Sequence, residues 1–173
     1  YRDDNHKPEL ICAMTRFWGL KGFRKTEQIL QLIRHTAVPA LLVESGRLAE
    51  GKAGGLEQFF LKMLTMDKAS QGKLVTEVVR AAEKLAHVDK AFDWIVHLNQ
   101  SYPADIGVIS PIFLNLFELQ PGEAMFIPAR TLHAYLHGAG IELMANSDNV
   151  LRGGLTPKHI DIDELTKCLD FTE

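Results

Sequence analysis

Pro121–His137, PGEAMFIPARTLHAYLH, leaves the backbone few choices. It begins with a Pro-Gly turn, and a short apolar run, Ala124–Ile127, leads to a second proline, Pro128. Beyond it the residues alternate. In an extended chain His133, Tyr135 and His137 share one face, while Ala134 and Leu136 take the other. Imidazole and phenol groups are costly to bury without partners, so a strand offering them inward walls a polar or metal-containing pocket. Histidines on one strand cannot close a metal site, and the remaining ligands have to come from elsewhere.

The other ends of the chain carry the same extended character. Leu10–Phe17 alternates imperfectly and reads as a strand, after a charged stretch, YRDDNHKPE, in which Pro8 pushes Lys7 towards extended backbone. Asn115–Leu119 has strand character, and residues 132–137 and 141–146 read as two short strands joined by HGAG. This spacing suits a small β-barrel or sandwich rather than βαβ units.

From about Gly22 the period changes. Ile29, Leu30, Leu32 and Ile33 fit an amphipathic helix that Pro39 ends at the latest, and Gly46–Gly55 reads as a connection. Leu56, Phe59, Phe60, Met63 and Leu64 mark a second helix, and Leu74, Val75, Val78, Ala82 and Leu85 a third. A fourth spans Lys90–Ser101, with Asp89 placed to cap it, and Pro103 closes the block. Its aromatic and Met positions read as core, and His35, His87 and His97 as surface or structural histidines. The segment 147–158 is irregular, and a last helix is expected over Asp163–Leu169.

At 173 residues and 46% hydrophobic content the chain can bury a real core. Its net charge of −3 argues against a broad nucleic-acid surface. No apolar run approaches membrane-spanning length, and the N-terminus lacks signal-peptide character. Cys12 and Cys168 are widely separated, which favours free thiols and a cytoplasmic setting. A first residue other than Met suggests a processed chain or a fragment.

Three groups of residues could carry chemistry. Glu9 and His133, with His6 and His137 in reserve, form a carboxylate–imidazole set suited to Zn²⁺ or Fe²⁺, although spacing alone does not pair positions so far apart. The alternative for His133 is a hydrogen-bonded wall residue. Arg152 and Lys158, with Asp148, surround Gly153-Gly154 and could hold a phosphate, or form an exposed charged loop. Lys7, brought near a metal, would lose its proton more easily and could act as a base beside His6.

With these groups in view, the sequence resembles the type I, zinc-dependent mannose-6-phosphate isomerases of the cupin superfamily. The resemblance rests on YRDDNHKPE at 1–9, LQPGEAMFIPARTLHAYLHG at 119–138 and ELMANSDNVLRGGLTPKHID at 142–161. The middle stretch also follows a cupin motif in outline, Gly122, Pro128 and His133, but has Arg130 where many cupins have Gly. The resemblance implies an α+β fold, a cupin-type β-barrel or jelly-roll portion with an inserted all-helical domain. Residues 1–19 and 106–173 would be barrel segments and 20–105 the helical insertion.

It also implies interconversion of mannose 6-phosphate and fructose 6-phosphate through a cis-enediol. Zinc would be held by Glu9 and His133 together with a Gln and a His from an N-terminal strand absent from this sequence, so that the N-terminal part of the same enzyme completes the site. Lys7 is the expected base, with His6 assisting ring opening, the two being exchangeable. Arg152 would stabilise developing negative charge or hold phosphate, Asp148 would orient Arg152 or handle hydroxyl protons, Lys158 would help with the phosphate and Tyr135 would line the pocket beside the metal. The competing expectations are a non-catalytic sugar-phosphate-binding cupin and, more remotely, an iron oxygenase using His6, Glu9 and His133.

Overall fold

The computed structural model describes residues 5–148, 150–156 and 160–173. Strand β1 (Glu9–Ala13) and strand β2 (Phe17–Phe23) open it. The alternation from Leu10 predicts one strand as far as Phe17. The structure instead breaks the run at Met14–Arg16, where the chain passes from one sheet to another. β1 lies between β4 (Ala124–Ile127) and β6 (Gly140–Met144), and β2 between β3 (Leu114–Leu119) and β5 (His133–His137), every pairing antiparallel.

Register decides which side chains meet. Residues directly opposite in an antiparallel pair share a face, so Glu9 and Ile11 face the same way as Ile127, Met125, Met144 and Glu142. That face looks onto the second sheet, because Ile11, Ala13 and Ile127 pack with Phe17 and Leu119 in one buried cluster, with Phe117 and Met125 against it. Part of the space between the sheets is thus apolar. Among the described residues the two three-stranded sheets do not join into a closed barrel. The turn that sends β5 into β6 needs glycine at Gly138, whose φ is +114° and where a Cβ would stand 2.6 Å from the Arg16 carbonyl oxygen.

The helices fill the connection between β2 and β3: α1 (Thr26–Thr36), α2 (Pro39–Glu44), α3 (Gly46–Ala49), α4 (Gly55–Thr65), α5 (Lys68–Leu85), α6 (Lys90–Ser101), a 3₁₀ turn (Ile106–Ile109) and α7 (Ser110–Phe113). α1 ends at Thr36, with Ala37 left-handed at φ 51°, and Pro39 is the first residue of the next helix rather than the terminator of the first. The supposed connection Gly46–Gly55 contains a helical turn. Asp89 caps α6 as expected, accepting from the Ala91 N–H at 2.8 Å.

The insertion leaves the sheet through a narrow neck. The Arg24 N–H donates to the Phe113 carbonyl at 2.9 Å, and the Asn115 side chain donates to the Phe23 carbonyl at 2.7 Å. Arg24 Nε also donates to the carbonyls of Leu114 (2.8 Å) and Pro111 (3.2 Å). Burial lowers the Arg24 guanidinium from its ordinary value, against the opposing pull of Asp89.

Aromatic packing joins neck to helices. Phe23 stacks on Phe171 at 5.1 Å and meets Phe60 edge-on at 5.5 Å, while Phe60 meets Phe113 at 5.8 Å. The chain ends in α8 (Ile162–Cys168), whose Leu165 is buried in the same core. No helix among the described residues is long and apolar enough to cross a membrane.

Phe60 is 2% exposed and touches three of these rings, so Phe60→Ala leaves a cavity that its neighbours cannot close. Chemical denaturation should show a loss of about 3–5 kcal/mol. A loss below about 1 kcal/mol would mean that the cluster does not hold the neck.

Candidate metal centre and substrate cleft

The two sheets also meet through polar groups beside their apolar cluster, Glu9 lying across from Ile127 and Glu142 across from Ile11. Glu9 opens β1 in one sheet and His133 opens β5 in the other, and His133 Nε2 stands 2.9 Å from Glu9 Oε2. Residues far apart in sequence are in contact because β1 and β2, close neighbours in the chain, sit at the centres of different sheets.

The His133 ring is fixed from behind. Its Nδ1 lies 2.9 Å from the Thr131 carbonyl oxygen, which can only accept, so Nδ1 carries the hydrogen. In the neutral ring Nε2 then presents a lone pair to a carboxylate oxygen. That approach is favourable only with a proton or another cation between the two, and an Nδ1–H donated to a backbone carbonyl is the usual support of a metal-binding imidazole.

Glu142 joins them. One ligand atom from each of Glu9, His133 and Glu142 lies within 4.8 Å of the others, and all three residues are half-buried. Sequence reasoning missed Glu142. Its signal was a lone carboxylate in an apolar strand, GIELM, and its register opposite Ile11 puts it on the Glu9 face. The Tyr135 hydroxyl donates to Glu142 Oε1 at 2.6 Å, and the Tyr135 ring lies 5.6 Å from the His133 ring. His137 does not continue this line. The register shifts between Trp18 and Gly19, so that His137 comes opposite Trp18 and Tyr135 opposite Gly19.

A cleft of about 800 Å³ opens beside the trio. His6, Lys7, Glu9, His133, Glu142 and Arg152 all line it. The half-buried Lys7 ammonium donates to the Ser147 carbonyl, and Lys7 shares the cleft lining with Glu9. The loop carrying Arg152 rests on the end of the helical block, where the Leu155 N–H donates to Asp105 Oδ1 at 3.2 Å. Gly107 lets it approach, since a Cβ there would lie 2.6 Å from the Leu155 nitrogen. Asp148 is exposed and stands off the cleft lining, and Lys158 lies outside the described residues.

Burial, first, then the hydrogen bond and charge of Glu142 raise the Tyr135 phenol well above its ordinary value. Above about pH 10 the folded state therefore holds a proton that the unfolded chain has released, and stability falls as pH climbs through that range. Urea midpoints measured across alkaline pH should fall less steeply in Tyr135→Phe. Equal slopes in the two proteins would contradict the raised phenol.

Comparison with known proteins adds the lineage. Residues 24–114 match the family model described as phosphomannose isomerase type I, helical insertion domain. The mannose-6-phosphate isomerase of Escherichia coli is 40% identical over 173 residues, covering 99% of this chain and 43% of the relative. The probable mannose-6-phosphate isomerase of Caenorhabditis elegans is 39% identical, covering 100% of this chain and 44% of the relative. Among solved structures, a point mutant of phosphomannose isomerase from Salmonella typhimurium superposes with a TM-score of 0.87 at 39% identity, covering 99% of this chain and 43% of that one. A zinc-bound mannose 6-phosphate isomerase gives 0.83 at 39% identity, with the same coverage. The chain spans less than half the length of these relatives. It belongs to the type I phosphomannose isomerase family.

Proposed function

We propose that this chain carries part of the active site of a zinc-dependent isomerase interconverting mannose 6-phosphate and fructose 6-phosphate. The carrying observation is the convergence of Glu9, His133 and Glu142 from separate strands onto one cleft that also holds Lys7 and Arg152. A small anionic substrate suits that lining. The division into barrel segments 1–19 and 106–173 around a helical domain 20–105 is part of the same reading.

The residues fit a zinc ion. Two carboxylates and an imidazole are ordinary zinc ligands, and donor atoms 2.9 Å apart, as in Glu9 and His133, can both lie about 2 Å from one ion. Glu9 and His133 are the assigned ligands, and Glu142, held by Tyr135, supplies a third donor, the second carboxylate, or a base beside them. Further ligands would come from the N-terminal part of the enzyme. When bound, the ion supplies Lewis acidity to the carbonyl and hydroxyl oxygens at C1 and C2 of the sugar.

The chain's own residues then divide the work. Lys7, acting with its amine neutral, takes the proton from C2 and, as the ammonium it then becomes, returns it to C1, while His6 moves protons during ring opening. Arg152 faces the negative charge that grows on the oxygens as the proton leaves. Asp148 orients the loop bearing Arg152, and Lys158 meets the phosphate. Tyr135 keeps its proton and fixes the Glu142 carboxylate, so it is a positioning residue rather than a base. A cytoplasmic location follows from the same metabolic reading.

In the complete enzyme, Glu9→Ala and His133→Ala should each lower bound zinc well below one per chain, read by atomic emission after dialysis. Full zinc occupancy in both variants would remove the ligand assignment. Lys7→Ala should keep its zinc and lose exchange of the substrate C2 proton with deuterated solvent by a factor on the order of 10²–10⁴. Undiminished exchange would hand the base role to another residue. A non-catalytic sugar-phosphate-binding protein would bind mannose 6-phosphate in calorimetry and show no turnover with zinc added.

A further inference from the structure

We propose that Arg130 is a further substrate-binding residue of the cleft, its guanidinium receiving the phosphate of the sugar substrate. The proposal rests on the isomerase reading above and adds a residue that the reading leaves out.

Arg130 sits in the turn Pro128–Thr131, closed by the Thr131 N–H to the Pro128 carbonyl at 3.3 Å. Its φ is +69°, the left-handed region that glycine occupies without strain. A side chain kept at such a position is strained, and such residues gather at ligand sites. The departure from glycine noted in the motif is therefore a departure against backbone preference.

The side chain is held in one direction. Nε donates to the Cys168 carbonyl at the end of α8 (2.9 Å), and the Asp170 N–H donates back to the Arg130 carbonyl (3.0 Å). Among the described residues neither terminal nitrogen, the pair that grips a phosphate bidentately, has a hydrogen-bonding partner. Asp170 is held below its ordinary carboxyl value mainly by Thr172, with the Arg130 charge a smaller influence, and forms no ion pair with it within 4.0 Å.

The position suits the ligand. Arg130 lines the same cleft as Glu9 and His133. It precedes His133 by three residues, a reach of about 10 Å or less along extended chain. A hexose 6-phosphate carries its phosphate several bonds from the reacting C1 and C2, so an anion holder belongs at such a distance from the metal ligands. Of the other cations on the lining, Lys7 is tied to the Ser147 carbonyl and Lys167 to Glu164 at 2.8 Å, while Arg152 is already assigned to the charge at the reacting oxygens. The plainer role, anchoring α8 through Cys168, predicts lost stability with no change in ligand affinity.

Arg130→Gly separates the two, because glycine relaxes the turn while removing the guanidinium. In the complete enzyme, calorimetric Kd for inorganic phosphate and KM for mannose 6-phosphate should both rise about tenfold, the loss falling on KM more than on kcat and zinc content holding. Arg130→Lys, which retains the charge without the fork, should fall between. Unchanged Kd and KM in both variants, or wild-type protein that binds no phosphate, would overturn the assignment. Wild-type protein that binds phosphate through Arg130 but turns over no substrate would sustain the assignment and sink the isomerase reading alone.

Discussion

Everything in this molecule hangs from the placement of residues 9–23 at the centre of both sheets. β1 is flanked on both sides in one sheet and β2 on both sides in the other, and only Met14–Arg16 separate them. A strand paired on both edges has its register fixed by two partners. Slipping either one by a residue would turn every side chain to the wrong face. Glu9 on β1 is therefore located as firmly as the apolar residues that share its face, Ile11 and Ala13, which are 3% and 2% exposed. The apolar residues between the sheets stabilise the fold, and the polar groups seated beside them are where that stability is used.

The same placement explains how a large helical insertion coexists with a strand-built site. β2 and β3 are paired down to Phe23 and Leu114, so the helices occupy what is topologically a hairpin connection. Arg24 and Asn115 close its base with hydrogen bonds, and Phe23, Phe60, Phe113 and Phe171 fill it. The helical block supplies none of the three residues of the metal centre, but it is not remote. Asp105 and Gly107, at its end, receive the loop that carries Arg152 into the cleft.

How much of this could be read from the sequence varied with the range of the interactions involved. Local devices were legible: the amphipathic faces of α4 and α5, the Asp89 cap, the Pro-Gly turn before β4 and the alternation through His133 and Tyr135. Glu9 and His133 were candidates by residue type, and only the family resemblance paired them as ligands, since no spacing rule joins a residue on β1 to one on β5. The break between β1 and β2 was hidden because the apolar alternation runs through it and the switch of sheets is decided by distant partners. His137 was first grouped with His133 by a strict period of two, which the register shift opposite Trp18 and Gly19 interrupts. Glu142 was passed over because a single carboxylate in a short strand has no local signature, and only tertiary packing places it beside Glu9. The left-handed backbone of Arg130 was likewise invisible, although the glycine common at that motif position pointed to it.

What the account claims at its centre is that Glu9 and His133 are two ligands of one ion rather than a hydrogen-bonded pair. The geometry of His133, with Nδ1 committed to the Thr131 carbonyl and Nε2 turned to a carboxylate, is the physical basis of that claim. Anomalous scattering at the zinc edge from crystals of the complete protein tests it most directly. The account predicts one strong peak about 2 Å from both His133 Nε2 and Glu9 Oε2. Zinc-loaded crystals with no peak between those two atoms, and the direct contact intact, would contradict it.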